Sequence, residues 1–119
     1  MTPPRLLGHR GALACAPENT LSSLRRGIAD GADGFEFDVR VTADGTPVLL
    51  HDASLVRTTG HSADLAETSL DTVRTLDAGG WFSPGHPAEP VPLLQEVLDE
   101  FLGHVPLALE MKEVLPEPV

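Results

Sequence analysis

Two carboxylates, Glu36 and Asp38, lie one residue apart in a stretch that otherwise has the composition of a buried strand. Side chains alternate between the two faces of a strand, so both acids project from one face while Phe35, Phe37 and Val39 project from the other. Two like charges on one face repel each other and are costly to bury alone. The spacing therefore indicates a divalent metal ion held by oxygen ligands, with an exposed polar strand face as the simpler alternative.

Histidines and cations recur where the other apolar strands end. His9 and Arg10 end the first strand, His51 ends the third, and Glu110 and Lys112 lie in the last. In parallel α/β folds, functional sites are built at the carboxyl ends of strands. Two histidines beside a carboxylate pair favour acid–base chemistry, and the planar fork of an arginine suits a phosphate. A surface charge at Arg10 and an ion pair between Glu110 and Lys112 are the alternatives.

Apolar periodicity gives the order of the elements. It predicts strands near residues 5–11, 35–41, 47–52 and 106–112, and helices near 20–31 and 93–102. Thr20 is the predicted N-cap of the first helix, and an Asp44–Gly45 pair marks a hairpin or a tight turn. The resulting order, β-α-β-β-α-β, favours an α/β fold with a parallel sheet. Residues 53–90 are predicted to be an irregular loop region with one or two helical turns after Ser69, and 114–119 a flexible tail.

Composition narrows the functional classes. The 119 residues carry a formal charge of −10, so we expect a single domain that does not bind nucleic acid. A lone cysteine allows no intrachain disulfide, which favours a reducing compartment and a cytoplasmic location. No apolar run is long enough to span a membrane or to form a signal peptide.

Eight short motifs together resemble the glycerophosphodiester phosphodiesterase family. They are Leu7–Ala12, Pro17–Thr20, Gly31–Val39, Thr42–Val48, His51–Asp52, Arg57–Gly60, Val91–Leu94 and Leu109–Lys112. The motifs follow the family's order and spacing and cover nearly all of the chain. The combination is specific to this family, although no single motif is.

The resemblance implies a TIM-barrel fold and hydrolysis of glycerophosphodiesters to an alcohol and sn-glycerol 3-phosphate. The resemblance also implies that the substrate's own glycerol hydroxyl attacks phosphorus, giving a cyclic phosphate that water then opens. The implied site comprises metal ligands for Ca²⁺ or Mg²⁺, an acid/base pair and phosphate-binding residues. The metal ligands would be Glu36, Asp38 and Glu110, and the acid/base pair would be His9 and His51. Arg10 and Lys112 would bind the phosphate, and Asn19 is a further residue that would bind phosphate or substrate. Trp81 is predicted from its loop position to be either a hydrophobic anchor or a wall of the substrate pocket.

The chain is short for the implied fold. A (β/α)₈ barrel typically needs about 250 residues, whereas this chain shows four strands, about the N-terminal half of the barrel. An isolated half-barrel would leave strand edges and apolar surface open. The chain is therefore either a piece of a longer protein or a short protein whose copies pair, and we expect a homodimer or higher oligomer.

Two other functions fit part of this pattern. Phospholipases of the phosphatidylinositol-specific or sphingomyelinase D type also use two histidines and a metal ion on phosphodiesters. The Pro17–Thr20 and Arg57–Gly60 segments favour the glycerophosphodiesterase instead. The third possibility is an inactive half-barrel that serves as a binding or assembly module.

Overall fold

The computed structural model describes residues 16–83, 85–104 and 107 with their side chains, and only the backbone at 7–9 and 108–111. Its strands are β1 (Leu7–His9), β2 (Gly34–Val41), β3 (Pro47–Leu49) and β4 (Leu107–Met111). Its helices are α1 (Leu21–Ala29), α2 (Val56–Thr59), α3 (Leu70–Val73) and α4 (Leu94–Phe101), with a 3₁₀ turn at Leu65–Glu67. The four predicted strands and both longer helices are present, but β3 ends at Leu49, so His51 follows the predicted third strand and does not end it. The predicted flexible tail, 114–119, lies outside the described residues.

Strand β2 is the centre of a four-stranded sheet. It pairs in parallel with β1 and β4 and antiparallel with β3. Val39 pairs with Leu49 in β3 and with Met111 in β4, so these two strands lie on opposite edges of β2. Likewise Glu36 pairs with both β1 and β4, so β1 shares its edge of β2 with β3.

The expectation of a wholly parallel sheet is wrong for β3. Its connection to β2 is a tight turn in which the Thr42 N–H donates to the Thr46 carbonyl at 3.0 Å and Gly45 adopts a φ of 83°. A parallel connection needs a crossover of a dozen or more residues, so this short turn imposes a hairpin. The hairpin also lengthens β2, and Glu36 and Asp38 consequently lie in the middle of the strand and not at its carboxyl end.

The apolar face of β2 packs against α1 and α4. Phe35, Phe37 and Val39 are buried there, and the ring of Phe35 meets Phe101 edge to face at a centroid distance of 5.1 Å. A second cluster of buried side chains lies beneath the segment between β3 and α4. It consists of Val48, Leu50, Leu55, Leu65, Val73, Ala78 and Val91. The core therefore fixes β2 from one face and leaves the other face to the polar residues.

Local signals explain where α1 begins and ends. The Thr20 hydroxyl accepts a hydrogen bond from the Ser23 N–H at 3.2 Å, which confirms the predicted N-cap. Gly31, with a φ of 97°, follows the last turn, where a left-handed residue commonly ends a helix. Within the described part of the chain, none of the helices reaches the length and apolarity needed to cross a membrane.

Candidate active site

Sheet register brings four of the predicted site positions together. Glu36 is the register partner of His9 in β1, and Asp38 is the register partner of Glu110 in β4. Glu36 and Asp38 are two residues apart on β2, and register partners in adjacent strands lie on the same face of a sheet. His9, Glu36, Asp38 and Glu110 therefore occupy neighbouring positions on the face opposite the core, although the side chains of His9 and Glu110 are outside the described residues.

The two described acids have different environments. Asp38 is 3% exposed, whereas Glu36 is exposed on the same face. Asn19 holds Asp38 with both ends of its amide: Nδ2 donates to Asp38 Oδ2 at 3.0 Å, and Oδ1 accepts the Asp38 N–H at 3.2 Å. Asn19 itself is buried and has a φ of 54°, a left-handed conformation that asparagine adopts more readily than most residues. The structure thus places Asn19, predicted to bind substrate, against a predicted metal ligand.

His51 enters the site from the end of the hairpin. The Leu50 N–H donates to the Asp38 carbonyl at 3.1 Å, and Arg40 Nε donates to the His51 carbonyl at 2.9 Å. The ring Nδ1 lies 2.9 Å from Asp52 Oδ1. Hydrogen bonds from Arg57 and then from His51 hold the pKa of the Asp52 carboxyl well below its usual range. An ionised carboxylate only accepts, so Nδ1 carries the proton, and Nε2 of the neutral ring is left as the basic atom.

An ion network of three residues, Glu18, Asp52 and Arg57, adjoins the His51 ring. Arg57 donates from Nε to Asp52 Oδ2 at 2.8 Å and from Nη2 to Asp52 Oδ1 at 3.1 Å. The other edge of the same guanidinium donates to both oxygens of Glu18, at 2.7 and 2.9 Å. Glu18 and then Asp52 raise the pKa of Arg57, so the guanidinium stays charged. The network links the loop before α1 to helix α2 and to His51.

Sequence reasoning did not assign Glu18 or Arg57 a role. Both lie inside motif segments, Pro17–Thr20 and Arg57–Gly60. These segments served only as evidence for the family resemblance, and neither residue was assigned a function. The available signal was an acid in one segment and a base in the other. Their contact depends on tertiary structure, since the two segments are far apart in the chain.

Three further residues were predicted to belong to the site: Arg10, Lys112 and Trp81. Arg10 and Lys112 lie outside the described residues. Trp81 is 40% exposed in the loop after α3, where its indole N–H donates to the Ala78 carbonyl at 2.9 Å and its ring meets Phe82 edge to face. Its role in the substrate pocket stays a prediction.

The predicted metal ligands are the acidic positions of β2 and β4. Among the described side chains there is no group of three or more histidine, cysteine, aspartate or glutamate residues placed to hold a metal ion. Of the predicted third ligand, Glu110, the structure describes only the backbone. The buried carboxylate of Asp38 and its register with Glu110 fit a hard divalent cation, which prefers oxygen ligands.

This arrangement defines a class of protein: an α/β domain with an acidic strand face beside a histidine whose ring Nδ1 is bonded to a carboxylate. The sequence pattern of the glycerophosphoryl diester phosphodiesterase family matches residues 9–115, and the chain belongs to this family.

Relatives and solved structures agree with that assignment. The chain is 37% identical to a glycerophosphodiester phosphodiesterase of Bacillus subtilis, over 94% of this chain and 42% of the relative. A glycerophosphodiester phosphodiesterase structure from Agrobacterium tumefaciens superposes with a TM-score of 0.84 at 36% identity, covering 92% of this chain and 47% of that one. An Oleispira antarctica phosphodiesterase in complex with the product sn-glycerol-3-phosphate gives a TM-score of 0.83 at 38% identity, covering 92% and 44%.

These comparisons support a fold of the TIM-barrel type for the chain. The chain spans less than half the length of each of these three relatives.

Proposed function

We propose that this chain carries the catalytic residues of a metal-dependent glycerophosphodiesterase, which hydrolyses glycerophosphodiesters to an alcohol and sn-glycerol 3-phosphate. The observation that carries the proposal is the register of the sheet. It places His9 beside Glu36 and Asp38 beside Glu110 on one face, with His51 bonded to Asp52 at the end of the adjoining hairpin. Membership of the family supports the same reaction.

In this proposal Glu36, Asp38 and Glu110 hold Ca²⁺ or Mg²⁺. The fit rests on oxygen donors at neighbouring positions and on the Asn19 amide, which fixes Asp38. A bound divalent cation would neutralise the non-bridging phosphate oxygens. Asn19 is then a residue that orients a ligand, and a second layer of such hydrogen bonds commonly tunes metal sites.

The protons are handled by His9 and His51. One histidine removes the proton of the substrate's glycerol hydroxyl, which attacks phosphorus, and the other protonates the departing alkoxide oxygen. Water then opens the resulting cyclic phosphate. For His51 the reacting atom is Nε2, since Nδ1 is bonded to Asp52. Arg10 and Lys112 contribute positive charge at the phosphate in this scheme.

We also propose that the chain supplies about half of a (β/α)₈ barrel, the N-terminal half. A half-barrel needs its open strand edges covered, either by the rest of a longer protein or by a second copy of the chain. Light scattering on the purified chain tests the second arrangement. A homodimer or higher oligomer is expected, and a monodisperse monomer that binds no hydrophobic dye would contradict it.

The test of the reaction is release of sn-glycerol 3-phosphate from glycerophosphocholine by the purified chain in Ca²⁺ or Mg²⁺. His51→Ala should abolish release, and His104→Ala, at an exposed histidine beyond α4, should leave it unchanged. If a cyclic phosphate accumulates and no glycerol phosphate is released, the proposed reaction is wrong and a phospholipase-type reaction takes its place. Metal binding without turnover would confine the chain to a binding or assembly role.

A further inference from the structure

Arg57 connects two carboxylates that belong to different parts of the fold. Four hydrogen bonds leave its guanidinium, two to Asp52 and two to Glu18. The Glu18 side chain is 4% exposed, whereas that of Arg57 is 42% exposed. The buried acid is therefore the fixed end of the network, and the exposed arginine is held in one plane by it.

We propose that Arg57, anchored by the buried Glu18, is a positioning residue that fixes the Asp52 carboxylate and, through it, the tautomer and orientation of the His51 ring. The inference rests on the proposed function, in which His51 transfers protons through Nε2. It adds two residues that contact neither the reacting atoms nor the metal ion in that scheme. Their effect on the reaction passes through Asp52.

The geometry of the Asp52 carboxylate supports this role. Both of its oxygens accept from Arg57, and Oδ1 also lies 2.9 Å from His51 Nδ1. An aspartate bonded only to a histidine can rotate about its side-chain torsions. Two parallel N–H···O bonds from a planar fork remove that freedom, so the oxygen that faces the imidazole stays in place.

A lysine would not replace this arginine. The guanidinium presents rigid donors along two edges, and here each edge meets a different carboxylate. A lysine ammonium is a compact charge on a flexible stem and does not span two carboxylates in one plane. Arg57→Lys should therefore keep the positive charge beside Asp52 but lose the fixed orientation of the Asp52 carboxylate.

The contact between α1 and α4 offers a matched control. Arg25 also forms a bidentate pair, with Glu100, at 2.8 and 2.6 Å. That pair lies on the outer surface and has no bond to a histidine among the described contacts. Removing it changes an arginine–carboxylate pair of similar geometry without touching the site.

The test uses nitrogen-15 NMR of the histidine rings in the full chain at about pH 8, where an ordinary imidazole is neutral. In the unsubstituted chain His51 should show the Nδ1–H tautomer. Arg57→Met and Arg57→Lys should each give a mixture of the two tautomers. Asp52→Asn should shift the ring toward the Nε2–H form, because an amide can donate to Nδ1. Arg25→Met should leave the His51 signals unchanged.

Activity gives the second measurement. In Arg57→Lys, kcat should fall about 10- to 100-fold with little change in KM, because a reacting group is misplaced while the groups that bind substrate are not. Arg25→Met should keep the activity of the unsubstituted chain. If Arg57→Met does not fold, Arg57→Lys and Glu18→Gln carry the test.

The two proposals fail in different ways. A His51 ring that keeps the Nδ1–H tautomer in every folded Arg57 and Glu18 variant overturns the positioning role, whatever the activity. A tautomer that changes as expected in a chain that releases no glycerol phosphate supports the positioning role and counts against the proposed reaction.

Discussion

Replacing Arg57 should destabilise the fold as well as misplace His51. Its two hydrogen bonds to Glu18, at 2.7 and 2.9 Å, are charge-assisted. Such bonds contribute about 1.5–3 kcal/mol each, and removing one member of a buried pair costs about 3–5 kcal/mol. Because Arg57 is 42% exposed, water screens part of the attraction. We therefore expect Arg57→Met to lower the free energy of unfolding by about 3 kcal/mol, at the low end of that range.

A double-mutant cycle measures the pair itself. Arg57→Met, Glu18→Gln and the double variant are unfolded in urea and followed by circular dichroism, with an expected coupling of about 2 kcal/mol. The same cycle for Arg25→Met and Glu100→Gln is the control. That pair is more exposed, 59% and 33%, and its coupling should stay below about 1 kcal/mol.

The difference between the two coupling free energies tests whether burial of Glu18 strengthens its pair with Arg57. If the coupling of Glu18 to Arg57 does not exceed that of Glu100 to Arg25, burial of the acid does not strengthen the pair. The assignment of Glu18 as the anchor of the network would then be refuted. The slope of the free energy of unfolding against urea concentration should be the same in all variants. A shift in the unfolding midpoint then reports a change in stability alone.

Other predictions concern the core, the acid limit of stability and the metal site. Phe101→Ala should lower the free energy of unfolding in urea by about 3–4 kcal/mol, because its ring is buried in the core; a loss below about 1 kcal/mol would contradict that packing. The Arg57 guanidinium lowers the pKa of Asp52, so this carboxylate stabilises the fold above its unfolded pKa of about 3.9 and progressively less below it. The melting temperature should therefore fall less between pH 7 and pH 3 in Asp52→Asn than in the unsubstituted chain. An equal fall in the two proteins would count against the ion pair between Asp52 and Arg57. Asn19→Ala should weaken Ca²⁺ binding about 10- to 100-fold by calorimetry, whereas Gln95→Ala, at an exposed amide on α4, should not; equal affinities would show that Asn19 does not orient the ligand.

Local sequence signals predicted the parts of the fold that local chemistry controls. Thr20 caps α1 because its hydroxyl reaches a nearby N–H, and period-two alternation placed Phe35 and Asp38 on opposite faces of β2. The Asp44–Gly45 turn signal was also correct. The error was to treat β3 as parallel although the same turn signal indicated a hairpin.

The ion network behind His51 required tertiary information. Glu18 and Arg57 are ordinary charged residues, and nothing in their spacing shows that they meet. Only the fold buries Glu18 and brings α2 beside it. The Asn19 contact is similar. The resemblance implied only that Asn19 belongs to the site, whereas its contact with Asp38 depends on the left-handed backbone that the fold imposes.

The position of β2 within the sheet has a consequence for the order of folding. Its pairing with β3 joins residues that are close in the chain, while its pairing with β4 must close a loop that includes α2, α3 and α4. Contacts between residues close in the chain form faster, because less chain entropy is lost before they are made. We therefore expect the hairpin that carries His51 to form early and the pairing of Asp38 with Glu110 to form late. The proposed cation site would be assembled last, so added Ca²⁺ should slow unfolding of the native state more than it speeds refolding.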